Sequence, residues 1–141
     1  MIFLDTNIFM RYLAPPTDEA TRTMNLVATE LFARVKRGEI EVTTSEVVLH
    51  EVFFVLTSRK QYGLPAYEAI QMVSPLIQEN SFKFEPGERR IYLRAMDLLE
   101  DNSHLGFADC VIAARSEKPG VELATFDEQL GSLSNVRRWK P

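Results

Sequence analysis

The strongest constraint on this chain is an alternation: short apolar runs are separated by longer segments of helical period. Ile2-Phe3-Leu4 is apolar throughout, the pattern of a strand buried on both faces. Asp5-Thr6-Asn7 ends it, and a short helix is predicted to about Leu13, before Pro15-Pro16 breaks it. Thr17 or Asp18 caps the next helix, which runs to about Lys36 and stops at Gly38. Glu39 to Thr43 reads as a second strand, and a capping-box pattern from Thr43 to Glu46 opens a helix to about Arg59. Past the break at Gly63-Leu64-Pro65, another helix is predicted from Ala66 to about Glu79. Phe82-Lys83-Phe84 is a third strand, and Pro86-Gly87 turns the chain into a helix from Glu88 to about Asp101. Gly106 precedes a helix holding Phe107 to Arg115, and Lys118-Pro119-Gly120 is a turn. Val121 to Thr125 is a fourth strand and Val136 to Trp139 a weak fifth.

Strands alternating with helices imply an α/β fold, with parallel strands, right-handed crossovers and helices on both faces. Such open sheets bind ligands beyond the carboxyl ends of their strands. The chain has 141 residues, a length that suits one domain, 1–141. Hydrophobic residues at 45% and charged residues at 26% favour a packed core over disorder. No apolar run approaches the roughly 18 residues of a membrane span, and the N-terminus carries no signal-peptide pattern. Cys110 is the only cysteine, which excludes an intrachain disulfide. These features lead to an expectation of a cytoplasmic protein without membrane partners.

The net charge of −4 and a pI near 5.2 argue against a nucleic-acid partner if taken as a sum. Distribution matters more. Were four acids to hold one divalent cation, −4 would become −2, and two cations would bring it to 0. Sixteen Lys and Arg side chains would then meet phosphate on a nearly neutral molecule.

Four acids stand in unusual places. Asp5 falls at the carboxyl end of the first predicted strand and Asp127 just past the fourth. Each has an ordinary alternative as a turn or helix-cap residue. On a helical wheel Glu51 is flanked by Val47, Val48 and Val55, so its carboxylate is expected to point into an apolar stripe. Charges are seldom buried unless paired or metal-bound; the plain alternative is an ion pair with an Arg. Asp109 is the only charge in Phe107-Ala108-Asp109-Cys110-Val111-Ile112-Ala113-Ala114, and its plain alternative is a favourable place on the helix dipole. Two strand-end acids and two on apolar helices can converge on one sheet edge. Packed carboxylates repel, and a divalent cation relieves that cost. Oxygen donors without Cys or His favour Mg²⁺ or Mn²⁺, ions that activate water and stabilise phosphoryl displacement.

With these residues in place, the chain resembles a PIN domain, and among those the VapC-type toxin nucleases. The resemblance rests on Ile2-Phe3-Leu4-Asp5-Thr6-Asn7, Ser45-Glu46-Val47-Val48-Leu49-His50-Glu51-Val52, Phe107 to Ala114, and Leu123-Ala124-Thr125-Phe126-Asp127, in the family's order across most of the chain. It implies a PIN-like three-layer fold with a central parallel sheet of about five strands. The family's four catalytic acids map onto Asp5, Glu51, Asp109 and Asp127, with Asp5, Asp109 and Asp127 as metal ligands. Its substrate-orienting polar residues map onto Asn7 and Thr125. The resemblance further implies Mg²⁺- or Mn²⁺-dependent cleavage of single-stranded RNA, a homodimer and, for the toxin branch, a cognate antitoxin protein. Where many relatives carry another acid, three residues before Asp109, this chain has Gly106.

Other candidates are weaker. Cys110 reads as a small buried hydrophobe, and His50 and His104 as surface or loop residues. No glycine-rich phosphate loop occurs, and Asn7 stands where a haloacid-dehalogenase phosphatase needs a second Asp. Arg11, Arg89, Arg90 and Arg94 read by default as solvated helix charges, with phosphate contact as the alternative. Two rival functions stay open: a housekeeping RNA-processing nuclease, and a catalytically silent RNA-binding or scaffold domain.

Overall fold

A computed structural model describes residues Met1 to Pro141. The elements follow in the order β1 (Ile2–Phe3), α1 (Thr6–Leu13), α2 (Glu19–Lys36), β2 (Val42–Thr43), α3 (Glu46–Thr57), α4 (Ala66–Ile77), α5 (Glu88–Asp101), α6 (Phe107–Ser116) and α7 (Glu128–Gly131). The six longer helices are close to those the sequence predicts, and their caps explain the small differences; the one-turn α7 is not among the predicted helices. Asp18, not Thr17, caps α2, accepting from the Thr21 amide at 2.8 Å while the Thr21 hydroxyl accepts from the Asp18 amide. The predicted box at Thr43 is displaced. Ser45 caps α3 by accepting from the Val48 amide at 3.3 Å, and Thr44 instead donates its hydroxyl to the Leu4 carbonyl at 2.9 Å.

The expected five-stranded sheet is reduced. β1 and β2 pair in parallel, Ile2 opposite Val42 and Phe3 opposite Thr43. Val42 also forms a parallel bridge to Phe82, so the third predicted strand is a single bridge beside β2. The fourth and fifth meet each other, at a parallel bridge between Leu123 and Arg138, and no backbone hydrogen bond joins residues 121–125 to β1. A strand buried on both faces is a near-continuous apolar run, and Glu122 interrupts this one. The amides of Ile2 and Leu4 donate to the Glu41 and Thr43 carbonyls, so the Phe3 amide faces the opposite, open edge. Phe3 is accordingly 58% exposed, and of the first apolar run only Leu4 is buried, against the expectation of burial on both faces.

The core is one cluster running through all the longer helices. Phe9 of α1 packs on Phe32 of α2 and on Phe82, with ring centroids 5.7 and 6.2 Å apart. Phe53 of α3 stacks on Phe107 of α6 at 4.8 Å. Each such buried ring contributes roughly 1.5–3 kcal/mol. These two contacts lock α1 to the strand layer and α6 to α3.

Two arginines depart from the solvated reading. Arg89 turns inward. It donates to the Ile77 carbonyl at 3.0 Å and to the Phe82 carbonyl, with its guanidinium over the Phe84 ring. It thereby fastens the end of α4 to the third strand segment. Arg94 is held by Glu117 at 2.7 Å.

Candidate active site

Asp5 leaves β1 and caps α1. Its side chain accepts from the Thr6 amide at 2.8 Å, and the carboxylate is exposed at the carboxyl end of the strand. Thr6 itself is buried, and its hydroxyl donates to Glu51 Oε2 at 3.0 Å. One small residue therefore joins two acids that lie 46 positions apart in the chain. Its amide serves Asp5 and its hydroxyl serves Glu51. Asn7 follows on the first turn of α1, also exposed.

Glu51 is not buried in an apolar stripe, contrary to the wheel reading. The buried face of α3 consists of Val48, Leu49, Val52, Phe53 and Leu56. Glu51 is exposed, as are Val47 at 73% and Phe54 at 58%. The wheel failed because α3 is apolar nearly all round, so periodicity alone did not identify the side facing the core.

Asp109 lies in the first turn of α6, half-buried, with no hydrogen-bonded partner among the side-chain contacts. Its neighbour Cys110 is fully buried, and burial, followed by the Asp109 charge, pushes the thiol up to about 11. That thiol is a packing group and not a nucleophile near neutral pH. Asp127 caps the short α7, accepting from the Leu130 amide at 3.0 Å, while its own amide donates to the Thr125 hydroxyl at 3.0 Å. His50 and His104 are exposed.

The structure thus brings Asp5 and Glu51 together through Thr6, and Asp127 and Thr125 together through a turn. It does not bring all four acids into one group. No three His, Cys, Asp or Glu side chains stand close enough to share a metal ion. The donors are chemically suited to a hard divalent cation; Asp5 and Glu51 share Thr6, Asp127 is tied to Thr125, and Asp109 is part of neither contact. Sequence reasoning missed Thr6. It sits inside the quoted Asp-Thr-Asn motif, yet nothing in the sequence shows that its hydroxyl meets α3. It also missed Arg138, whose guanidinium donates to the Thr125 carbonyl at 2.9 Å and to Glu128 at 2.8 Å beside Asp127. Arg138 holds the Glu128 carboxyl below its usual range.

Comparison with known families decides the fold's identity: the family model of the PIN domain matches residues 2–136. This chain belongs to the PIN domain family. PIN domains have a nuclease-type fold, are generally nucleases, and typically use divalent metal ions. No curated protein matches the chain as a relative. None of this PIN domain's helices is long and apolar enough to cross a membrane.

Proposed function

We propose that this PIN domain is an endoribonuclease that cleaves single-stranded RNA with Mg²⁺ or Mn²⁺, and that it is the toxin of a toxin–antitoxin pair. The observation that carries the catalytic reading is the Thr6 bridge, which sets the strand-end carboxylate of Asp5 beside Glu51 on the carboxyl edge of β1. This is the edge where open α/β sheets bind their ligands.

Asp5, Asp109 and Asp127 are the residues assigned to hold the cation. When bound, the cation supplies a water of lowered pKa and positive charge for the phosphoryl oxygens. Glu51 is exposed, with Oε2 engaged by Thr6, so Oε1 is available to orient or deprotonate the attacking water. Asn7 and Thr125 are assigned to orient water or phosphate. For Thr125 the cost is small: its hydroxyl already accepts from the Asp127 amide and retains its own proton for a ligand. The resulting ends are a 5′-phosphate and a 3′-hydroxyl.

The proposed partners are a second copy of the chain and an antitoxin that brings a basic side chain to the acids. A guanidinium there would compete with the cation through charge-assisted hydrogen bonds, each worth roughly 1.5–3 kcal/mol.

The test is cleavage of single-stranded and structured RNAs with Mn²⁺, comparing wild type with Asp5→Asn. We expect cutting in single-stranded stretches and a rate on the order of 10²–10⁴-fold lower in the variant. Equal rates would remove Asp5 from the mechanism. Calorimetry with Asp109→Asn checks the cation separately, and unchanged binding would remove Asp109 from the ligand set. Co-purification from the native operon tests the antitoxin: a chain expressed alone without growth arrest or a basic-tailed partner is not a toxin, even if it is a nuclease.

A further inference from the structure

Between the start of α5 and the end of α6 lies an open cavity of about 570 Å³. Arg90, Arg94, Arg115 and Lys118 line it, against two carboxylates, Glu88 and Glu117. Both carboxylates are already occupied. Glu117 binds Arg94 at 2.7 Å, and Glu88 binds Arg115 at 2.8 Å. Each is held below the usual carboxylate range, chiefly by its arginine's hydrogen bond. Arg90 and Lys118 are different. Both are exposed, and neither side chain makes an ion pair or hydrogen bond. Four cations against two acids leave the lining at +2, on a chain whose net charge is −4. Glu46, which Arg115 also grips from outside the cavity, lowers the local excess to +1; Arg90, whose charge acts on Glu117 without bonding it, and Lys118 keep their side-chain hydrogen-bond donors unengaged.

The position of the cavity bears on its use. The Arg115–Glu46 contact at 2.8 Å sets it against the first turn of α3. Glu51 lies five residues further along the same helix, about 7.5 Å in rise. The cavity therefore lies beside the first turn of α3, with Glu51 on the next turn and about 140° further round the helix.

We propose that this cavity binds backbone phosphates of single-stranded RNA flanking the cleaved bond, through Arg90 and Lys118. The proposal rests on the nuclease reading for the identity of its ligand. Arg90 offers a planar fork that matches two phosphate oxygens, and Lys118 a mobile point charge. The paired Arg94 and Arg115 are engaged by Glu117, Glu88 and Glu46 and do not compete for the strand. This arrangement also explains how an acidic chain takes a polyanion: its charge is segregated, with cations lacking an ion-pair partner here and carboxylates lacking one at Asp5 and Glu51, which Thr6 holds by neutral hydrogen bonds. Strands bound this way release counterions, so affinity depends steeply on salt.

The test is fluorescence anisotropy of a labelled single-stranded RNA in chelator, at salt concentrations from about 50 to 200 mM, for wild type, Arg90→Ala, Lys118→Ala and the double variant. Each lost phosphate contact should lower the log–log salt slope by about 0.7, so the double variant should lose about 1.4 and bind on the order of tenfold more weakly at low salt. An unchanged affinity and slope, or no RNA binding by wild type, overturns the proposal. Competition by poly-glutamate equal to that by RNA, or displacement by millimolar inorganic phosphate, also overturns it in favour of an acidic protein or a free-phosphate site. Should the double variant melt at a lower temperature, Arg90→Gln and Lys118→Gln singly carry the measurement. Cleavage separates the two readings. Binding that depends on Arg90 and Lys118 without any cleavage sinks the nuclease reading alone. Cleavage with an unchanged salt slope sinks this one alone.

Discussion

The two ends of the candidate site are built by different means. At the amino end, Asp5 and Glu51 are held by contacts that span the chain: Thr6 to Glu51, 45 residues apart, and Thr44 to the Leu4 carbonyl, 40 apart. Behind them stand the Phe9–Phe32 and Phe53–Phe107 contacts of the core. At the carboxyl end, Thr125 and Asp127 are held by hydrogen bonds two and three residues long, on a helix of one turn. Longer ties there are the backbone bridge of Leu123 to Arg138, Arg138 to the Thr125 carbonyl and Asn135 to Glu117, with Leu130 as the one buried side chain and Leu123, Leu133 and Val136 only partly buried. Long-range apolar contacts fix a carboxylate relative to the whole fold, whereas local hydrogen bonds fix it only relative to its own turn. The amino end is thus a preformed half-site, and the carboxyl end, with fewer buried contacts, is expected to open at lower free energy.

The largest expected effect comes from breaking the preformed half. Phe107→Ala removes the ring that locks α6, with Asp109, onto α3, with Glu51. It should cost about 3–5 kcal/mol in urea unfolding. A loss below about 1 kcal/mol would mean that this contact does not organise the region.

Next is the Thr6 bridge. Thr6→Val keeps the shape and deletes the hydroxyl, and should cost about 1 kcal/mol because Glu51, being exposed, turns to water instead. A double-mutant cycle with Glu51→Ala, which removes the acceptor, should give a coupling well above measurement error. Strict additivity would dissolve the half-site.

The carboxyl end can be loosened on its own. Arg138→Ala removes the ties to Thr125 and Glu128, and hydrogen exchange should speed up in residues 123–139 while β1, β2 and α3 keep their protection. Faster exchange everywhere would show that the two ends open together.

The smallest effect is acid sensitivity at the Glu117 anchor. Arg94 holds the Glu117 carboxyl below its usual range, so this pair adds stability above the unfolded carboxylate value near 4.3 and loses it as pH falls toward the lower folded value. Arg94 is 40% exposed, so screening limits the gain to roughly 0.2–1 kcal/mol. Glu117→Gln should therefore melt lower than wild type at pH 7 by a few degrees and converge with it near pH 3. A constant gap across that range would rule out ionisation as the cause.

The sequence by itself makes legible the six longer helices, their order and the position of Asp5 at the end of β1, because these follow from local signals: apolar period, caps, Pro and Gly. It also determined the family, since the motif segments lie along the chain in order. It misread β1 as buried on both faces, overlooked Glu122 as a break in the fourth strand, and set Glu51 in an apolar stripe. The first and last errors share one cause. An apolar residue in the sequence carries no label for which neighbour, if any, will cover it. Packing settles that Thr6 joins Asp5 to Glu51, that Arg89 turns inward while Arg90 makes no ion pair, and that no three of the acids stand together. Those outcomes depend on which helices pack together, and contacts between residues 45 or 69 positions apart leave no periodic trace in the chain.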